Sequence, residues 1–182
     1  MKKDFLQITD FSSEEIHELF DLAAKLKREM KEGKSHHYFQ GKSLAMIFQK
    51  PSARTRISFE VGAHQLGGYA LYLSPSDIGL GKRETIADIA RVLSRYNDMI
   101  MARVFDHDHI LKLAEHATIP VINGLTDYNH PCQVMADIFT VLEHRGNLED
   151  LKVVFVGDST NVSHSWLQLA QRLPMELIIA CP

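Results

Sequence analysis

The strongest constraint on this chain is an alternation. Six short apolar runs recur along it: S-L-A-M-I-F (43–48), Y-A-L-Y-L (69–73), D-M-I-M-A-R-V (98–104), T-I-P-V-I-N-G (118–124), K-V-V-F-V (152–156) and M-E-L-I-I-A (175–180). Between them lie segments of helical period, such as Ile86, Ile89, Ala90 and Leu93, which share one face of a helix. Continuous apolar runs of this length suit strands covered on both faces, and an intervening helix lets successive strands pair in parallel. The pattern predicts an α/β fold with a mainly parallel sheet flanked by helices.

Local signals place the helices. Ser12-x-x-Glu15 is a capping box with Phe11 and Ile16 at staple spacing, and the helix it opens runs to about Lys31. Ile57 with Val61, and Phe59 with Ala63 and Leu66, mark a second helix that ends near Gly67-Gly68. Asp106 caps a helix around Ile110 to Ala117, and Pro131 suits the first turn of another reaching about Glu143. The stretch S-P-S-D-I-G-L-G-K-R (74–83) reads as a polar loop. A boundary is expected around R-G-N-L-E-D (145–150), which divides the chain into residues 1–148 and 149–182. The second part holds one βαβ unit, a helix of roughly 162–173 between two strands, and thirty-odd residues bury too little surface to fold alone. It is expected to be the start of a second, truncated α/β domain.

The turn after the first strand, K-P-S-A-R-T-R-I-S-F-E (50–60), carries Lys50, Arg54 and Arg56 with no acid before Glu60. A helix start is the positive end of the helix dipole, where a cation is unfavourable by roughly 0.3–1 kcal/mol. Ser52 can serve as an ordinary N-cap. Free N–H groups, two guanidinium forks and two hydroxyls in one turn also suit a phosphate, which would offset the crowded charge. No G-x-x-x-x-G-K-[ST] loop is present, so any phosphate cradle here is built from arginine.

In open α/β sheets ligands bind beyond the carboxyl ends of the strands. Two further polar groups fall at such ends: Arg103, and His130 with Gln133 in N-H-P-C-Q. His130 and Gln133 can be simple helix-start residues. In a cleft, a neutral imidazole can donate to a carbonyl oxygen, an amide oxygen can accept from an NH2 group, and Arg103 can stabilise a developing oxyanion. Cys132 has no base nearby in sequence and reads as a structural thiol. Gly157-Asp158 lacks the G-x-G-x-x-G of a dinucleotide turn, and the histidines at 36–37 and 107–109 lack metal-ligand spacing, so no cofactor and no metal are expected.

Composition limits the partners. With a net charge of −3 the chain offers no general basic surface, which argues against nucleic acid. No apolar run approaches the roughly 20 residues of a membrane span. Two cysteines make no disulfide framework, and the N-terminus M-K-K-D-F-L-Q has neither an apolar leader core nor a transit-peptide composition, so a cytoplasmic location is expected.

Taken together, F-Q-K-P-S-A-R-T-R-I-S-F-E, M-A-R-V-F, V-I-N-G-L-T-D-Y-N-H-P-C-Q and F-V-G-D-S-T-N-V-S-H-S closely resemble the carbamoyltransferases over essentially the whole chain. The H-P-C-Q form and the G-D-x-x-N-V turn are most similar to the ornithine-specific branch. That resemblance implies two α/β domains with the site between them, in homotrimers or multiples of them, and a role in arginine metabolism. It implies that Ser52, Ala53, Arg54, Thr55 and Arg56 hold the phosphate of carbamoyl phosphate. It further implies that Arg103, His130 and Gln133 orient and polarise the carbamoyl group, with Arg103 and His130 catalytic, and that Asn161 contacts L-ornithine. The loop 74–83 would reach a neighbouring subunit's site.

This sequence departs from the family pattern at Ala53, usually threonine, at Gly79, often glutamine or histidine, and at Thr160, commonly asparagine. The family's later D-x-x-x-S-M-G and H-C-L-P segments have no counterpart in these 182 residues. The chain alone is therefore expected to bind carbamoyl phosphate weakly and not to turn over ornithine. An aspartate or acylated-ornithine carbamoyltransferase, or a non-catalytic anion-binding module, are the competing readings.

Overall fold

The computed structural model describes residues 2–81 and 83–182. A parallel four-stranded sheet, in the order β2-β1-β3-β4, is built from Ser43–Phe48 (β1), Tyr69–Leu73 (β2), Met99–Arg103 (β3) and Val121–Leu125 (β4). The helices are Ser13–Lys31 (α1), Ala53–Gln65 (α2), Pro75–Ile78 (α3), Ile86–Tyr96 (α4), His107–His116 (α5), Pro131–Arg145 (α6) and Asn161–Ala170 (α7). A second parallel pair, Leu151–Val156 (β5) with Met175–Ala180 (β6), lies on either side of α7 in sequence. The α/β architecture expected from the alternation is the one found.

The two-residue period of a strand sorts the core of the first sheet. Ala45 and Ile47 of β1, with Ile100 and Ala102 of β3, face the apolar stripe of α4 and the buried side of α5. Leu44, Met46 and Phe48, with Met101, face the other way and pack with Ala63 of α2. Both faces are covered, which explains why β1 reads as an unbroken apolar run. On α2 the pair Ile57 and Val61 is exposed to solvent, whereas Phe59 and Ala63 pack inward. The stretch 74–83 is less irregular than its composition suggests, because Ser74 and Asp77 form a capping box that turns Pro75–Ile78 into one helical turn. Gly79 ends that turn at φ +53°, and a Cβ there would lie 2.9 Å from Cβ of Arg83. Lys82 of the same stretch lies outside the described residues.

Residues 149–182 find their core in the first part of the chain. Leu151, Trp166, Leu169 and Leu173 pack with Ile8, with Ile16 and Phe20 of α1, and with Val134 and Ile138 of α6. The shortage of buried surface inferred for this unit is thus met by two helices that precede it. Among the described residues no helix is long and apolar enough to cross a membrane.

Strand order fixes where a ligand can sit. The chain leaves β1 toward β2 on one side and later returns to β3 on the other, so the carboxyl ends of β1 and β3 form a topological switch point. There Phe48 pairs with Arg103, and the Gln49 N–H donates to the Arg103 carbonyl at 2.9 Å.

Because the core of residues 149–182 is shared, its loss should be felt globally. Leu169→Ala removes a fully buried side chain and should lower stability by about 2–5 kcal/mol in one cooperative urea transition. A separate early transition confined to the C-terminal unit would contradict the shared core.

Candidate functional site

At the switch point an open cavity of about 310 Å³ is lined by Ser52, Arg54, Thr55, Arg103, Gly124, His130 and Gln133, with Ser58, Phe59, Cys132 and Ala136 completing its walls. The side chains come from the start of α2, the end of β3, the bulged end of β4 and the start of α6. Three chain segments, far apart in sequence, meet because their strands are neighbours in the sheet.

The start of α2 is organised by Ser52. Its hydroxyl accepts weakly from the Thr55 N–H at 3.4 Å and donates to Thr55 Oγ1 at 3.1 Å. Thr55 Oγ1 also accepts from Arg103 Nη1 at 3.4 Å, which ties the helix start to β3. The N–H groups of Ala53 and Arg54, in the first turn of α2, have no intrahelical acceptors. Ala53 itself has no side chain reaching the cavity, so its contribution is confined to that N–H.

Arg103 is held in a strained electrostatic position. Burial, and then the charge of Arg54, push its pKa below the usual arginine value, and its Nε is buried with no hydrogen-bond partner. His130 is perturbed in the same direction. Burial first, and the Arg103 charge second, lower its pKa from 6.5 to about 4, and its Nδ1 is likewise buried without a partner. The imidazole is therefore neutral at neutral pH. Gln133 donates its amide nitrogen to Asp137 Oδ1 at 2.8 Å, which leaves its carbonyl oxygen as a free acceptor. The cavity thus combines guanidinium and N–H donors suited to a tetrahedral anion with a neutral imidazole and an amide acceptor suited to a planar polar group.

Five neighbours were not singled out from sequence. Gly124 lets β4 approach β3, since a Cβ there would fall 2.5 Å from Met101 Sδ. Asp137 orients Gln133 from one helical turn away, a spacing the sequence does display. Asn123, Thr126 and Asn129 are fully buried and bond one another beneath the T-D-Y-N turn, with Asn129 N–H donating to Thr126 Oγ1 at 3.2 Å. Cys132 is a structural thiol. Burial pushes its pKa up to about 12, and Sγ donates to the Asn123 carbonyl at 3.3 Å.

Besides Ala53, two sequence-selected residues lie apart from the cavity walls. Arg56 donates from Nε to Glu60 Oε1 at 2.9 Å and stacks over the Tyr72 ring at 4.0 Å. Asn161 donates from Nδ2 to the Thr126 carbonyl at 2.7 Å. Ser52, Arg54, Thr55, Arg103, His130 and Gln133 are brought together as expected from their strand-end positions. Among the described residues no cluster of three or more His, Cys, Asp or Glu side chains has the arrangement of a metal site.

Residues 3–143 match the family model for the aspartate/ornithine carbamoyltransferase, carbamoyl-P binding domain. Over 181 residues the chain is 56% identical to the chloroplastic ornithine carbamoyltransferase of Pisum sativum, covering 99% of this chain and 48% of that protein. Over 182 residues it is 52% identical to the ornithine carbamoyltransferase of Syntrophotalea carbinolica, covering 100% and 60%. The solved ornithine carbamoyltransferase from Pyrococcus furiosus superimposes with a TM-score of 0.96 at 51% identity, covering 99% of this chain and 57% of that one. The chain spans about half to six tenths of the length of these relatives.

The neutral His130 makes stability depend on pH. Below pH 6.5 the unfolded chain takes up a proton at this site that the folded chain does not. Stability contributed here is full above pH 6.5 and falls as pH drops to about 4. The stability difference between the native chain and His130→Gln should therefore shift against the native chain across that window in urea titrations. A difference that stays constant from pH 7 to 4.5 would rule out the depressed pKa.

Proposed function

This chain belongs to the aspartate/ornithine carbamoyltransferase family, and we propose that it supplies the carbamoyl-phosphate half of an ornithine carbamoyltransferase site. In this reading residues 1–148 bind carbamoyl phosphate and residues 149–182 begin the unit that receives L-ornithine. The carrying observation is the convergence of Arg54, Arg103, Ser52 and Thr55 on one cavity whose other wall holds the neutral His130 and Gln133.

The phosphate sits at the start of α2, where the Ala53 and Arg54 N–H groups, the Ser52 and Thr55 hydroxyls and Arg54 surround it. Arg56 joins only if it leaves Glu60 and Tyr72, the partners it holds now. Arg103 and the His130 imidazole donate to the carbamoyl oxygen, and the Gln133 carbonyl accepts from the carbamoyl NH2. Asn161 has a free Oδ1 for the amino acid while its Nδ2 holds Thr126.

The chemistry follows from these donors. The unprotonated side-chain amine of ornithine attacks the carbamoyl carbon and forms the new C–N bond. Negative charge builds on the carbamoyl oxygen, where Arg103 and His130 oppose it without reorganising. The C–O bond to phosphate then breaks, the phosphate leaves with the bonding pair, and the amine's proton is lost, giving citrulline and inorganic phosphate. A neutral histidine suits this role, because an imidazolium beside Arg103 would add a second buried cation. No step needs a cofactor. Association into a homotrimer, or a multiple of one, is part of the same reading, and the exposed pair Ile57 and Val61 on α2 offers an apolar strip for a neighbouring subunit.

Calorimetric titration of this chain with carbamoyl phosphate tests the assignment. Binding is expected, and Arg54→Ala should weaken it by roughly 10- to 100-fold, the worth of a charge-assisted contact. Undiminished affinity in Arg54→Ala would remove the anion site.

A further inference from the structure

The first turn of α7 lies outside the cavity, yet three of its side chains grip the segment that carries His130. Asn161, His164 and Ser165 stand at i, i+3 and i+4, one face of the helix. Each bonds to main chain, and each to a different residue. Asn161 Nδ2 donates to the Thr126 carbonyl at 2.7 Å, His164 Nδ1 donates to the Tyr128 carbonyl at 2.8 Å, and Ser165 Oγ accepts from the His130 N–H at 2.8 Å. Ser165 is fully buried and also donates to the Asn161 carbonyl at 3.1 Å, so both of its hydrogen-bonding roles are filled.

We propose that this face of α7 is a template that sets the position of the His130 imidazole, with Ser165 and His164 as positioning residues. The argument rests on what else holds the ring. Its buried Nδ1 has no hydrogen-bond partner, so the ring takes its orientation from the backbone that carries it. That backbone is non-helical, at φ −138° and ψ 68°, and the following Pro131 restricts it further. Ser165 fixes the N–H side and Pro131 the carbonyl side, which leaves only the side-chain torsions free. The contacts go to main chain, so they specify the course of residues 126–130 whatever side chains those residues carry. Because α7 belongs to the 149–182 unit, displacement of that unit is transmitted to the carbamoyl end of the cavity and spares the phosphate end.

The inference rests on the proposed carbamoyl-phosphate site, and two ligands separate the two. Inorganic phosphate needs only the start of α2, whereas carbamoyl phosphate also needs His130. Calorimetry on the whole 182-residue chain should show that Ser165→Ala weakens carbamoyl phosphate by roughly five- to tenfold, the worth of one lost hydrogen bond. Inorganic phosphate should bind the variant as it binds the native chain. In proton NMR titrations the pKa of His130, about 4 in the native chain, should move toward 6.5. His164→Ala, which removes a less buried contact, should act in the same direction and more weakly. His164→Asn, whose amide nitrogen can replace Nδ1 as donor, should restore affinity; this pair serves if the buried Ser165→Ala does not fold.

Equal losses for both ligands, or no loss for carbamoyl phosphate with an unmoved His130 titration, overturn the template. A native chain that binds neither ligand overturns the proposed function, and the template falls with it.

Discussion

Positive charge held against positive charge is the condition around which the cavity is arranged. Arg54 and Arg103 converge beside a helix start that is itself electropositive, and Arg103 is additionally desolvated. Among the described residues only Thr55 Oγ1 bonds the Arg103 guanidinium end, and its buried Nε has no hydrogen-bond partner. Such an arrangement is unfavourable on its own and persists because the sheet register and the α2 cap hold both arginines in place. Its unspent donors suit an anion. Burial first, and the Arg103 charge second, keep His130 neutral in the same enclosure.

Placement of these groups depends on backbone more than on side-chain contacts. Register pairs Phe48 with Arg103, and a bulge that skips Gly124 brings Leu125 opposite Arg103, so the chain turns toward α6 beside the guanidinium. Beneath it, Asn123, Thr126 and Asn129 bond one another in a fully buried network, in which Asn123 Oδ1 has no hydrogen-bond partner. Buried amides and hydroxyls are costly when unpaired, and the bonds that link these three side chains permit few alternative conformations. The site is accordingly rigid at its base and open at its mouth.

Much of this was legible along the chain and some was not, for identifiable reasons. The alternation of apolar runs and helical periods specified a parallel α/β sheet because β1 and β3 are covered on both faces. Arg54, Arg103 and His130 were legible because each sits at a strand end or helix start. Arg56 stands apart from the cavity walls: its ties run to Glu60, one turn away, and to Tyr72, which only strand pairing brings near. The burial of Thr126 and Asn129 in the T-D-Y-N turn was not legible, because the α7 side chains that hold this segment come some thirty-five residues later. The core of residues 149–182 escaped for the same reason, since Ile16 and Leu169 meet only in three dimensions.

The first few residues have a bearing on how the chain reaches this state. Asp4 Oδ1 accepts the Val121 N–H, Phe5 bridges to Ile122, and Lys2 Nζ meets the Ala117 carbonyl at 2.9 Å. The outer edge of β4 is therefore sealed by a segment 117 positions earlier in sequence. During synthesis that segment must wait, unpaired, until β4 has emerged, and the loop it then closes is among the longest in the molecule. This segment and β4 therefore depend on each other across the whole first sheet, and neither covers that edge without the other.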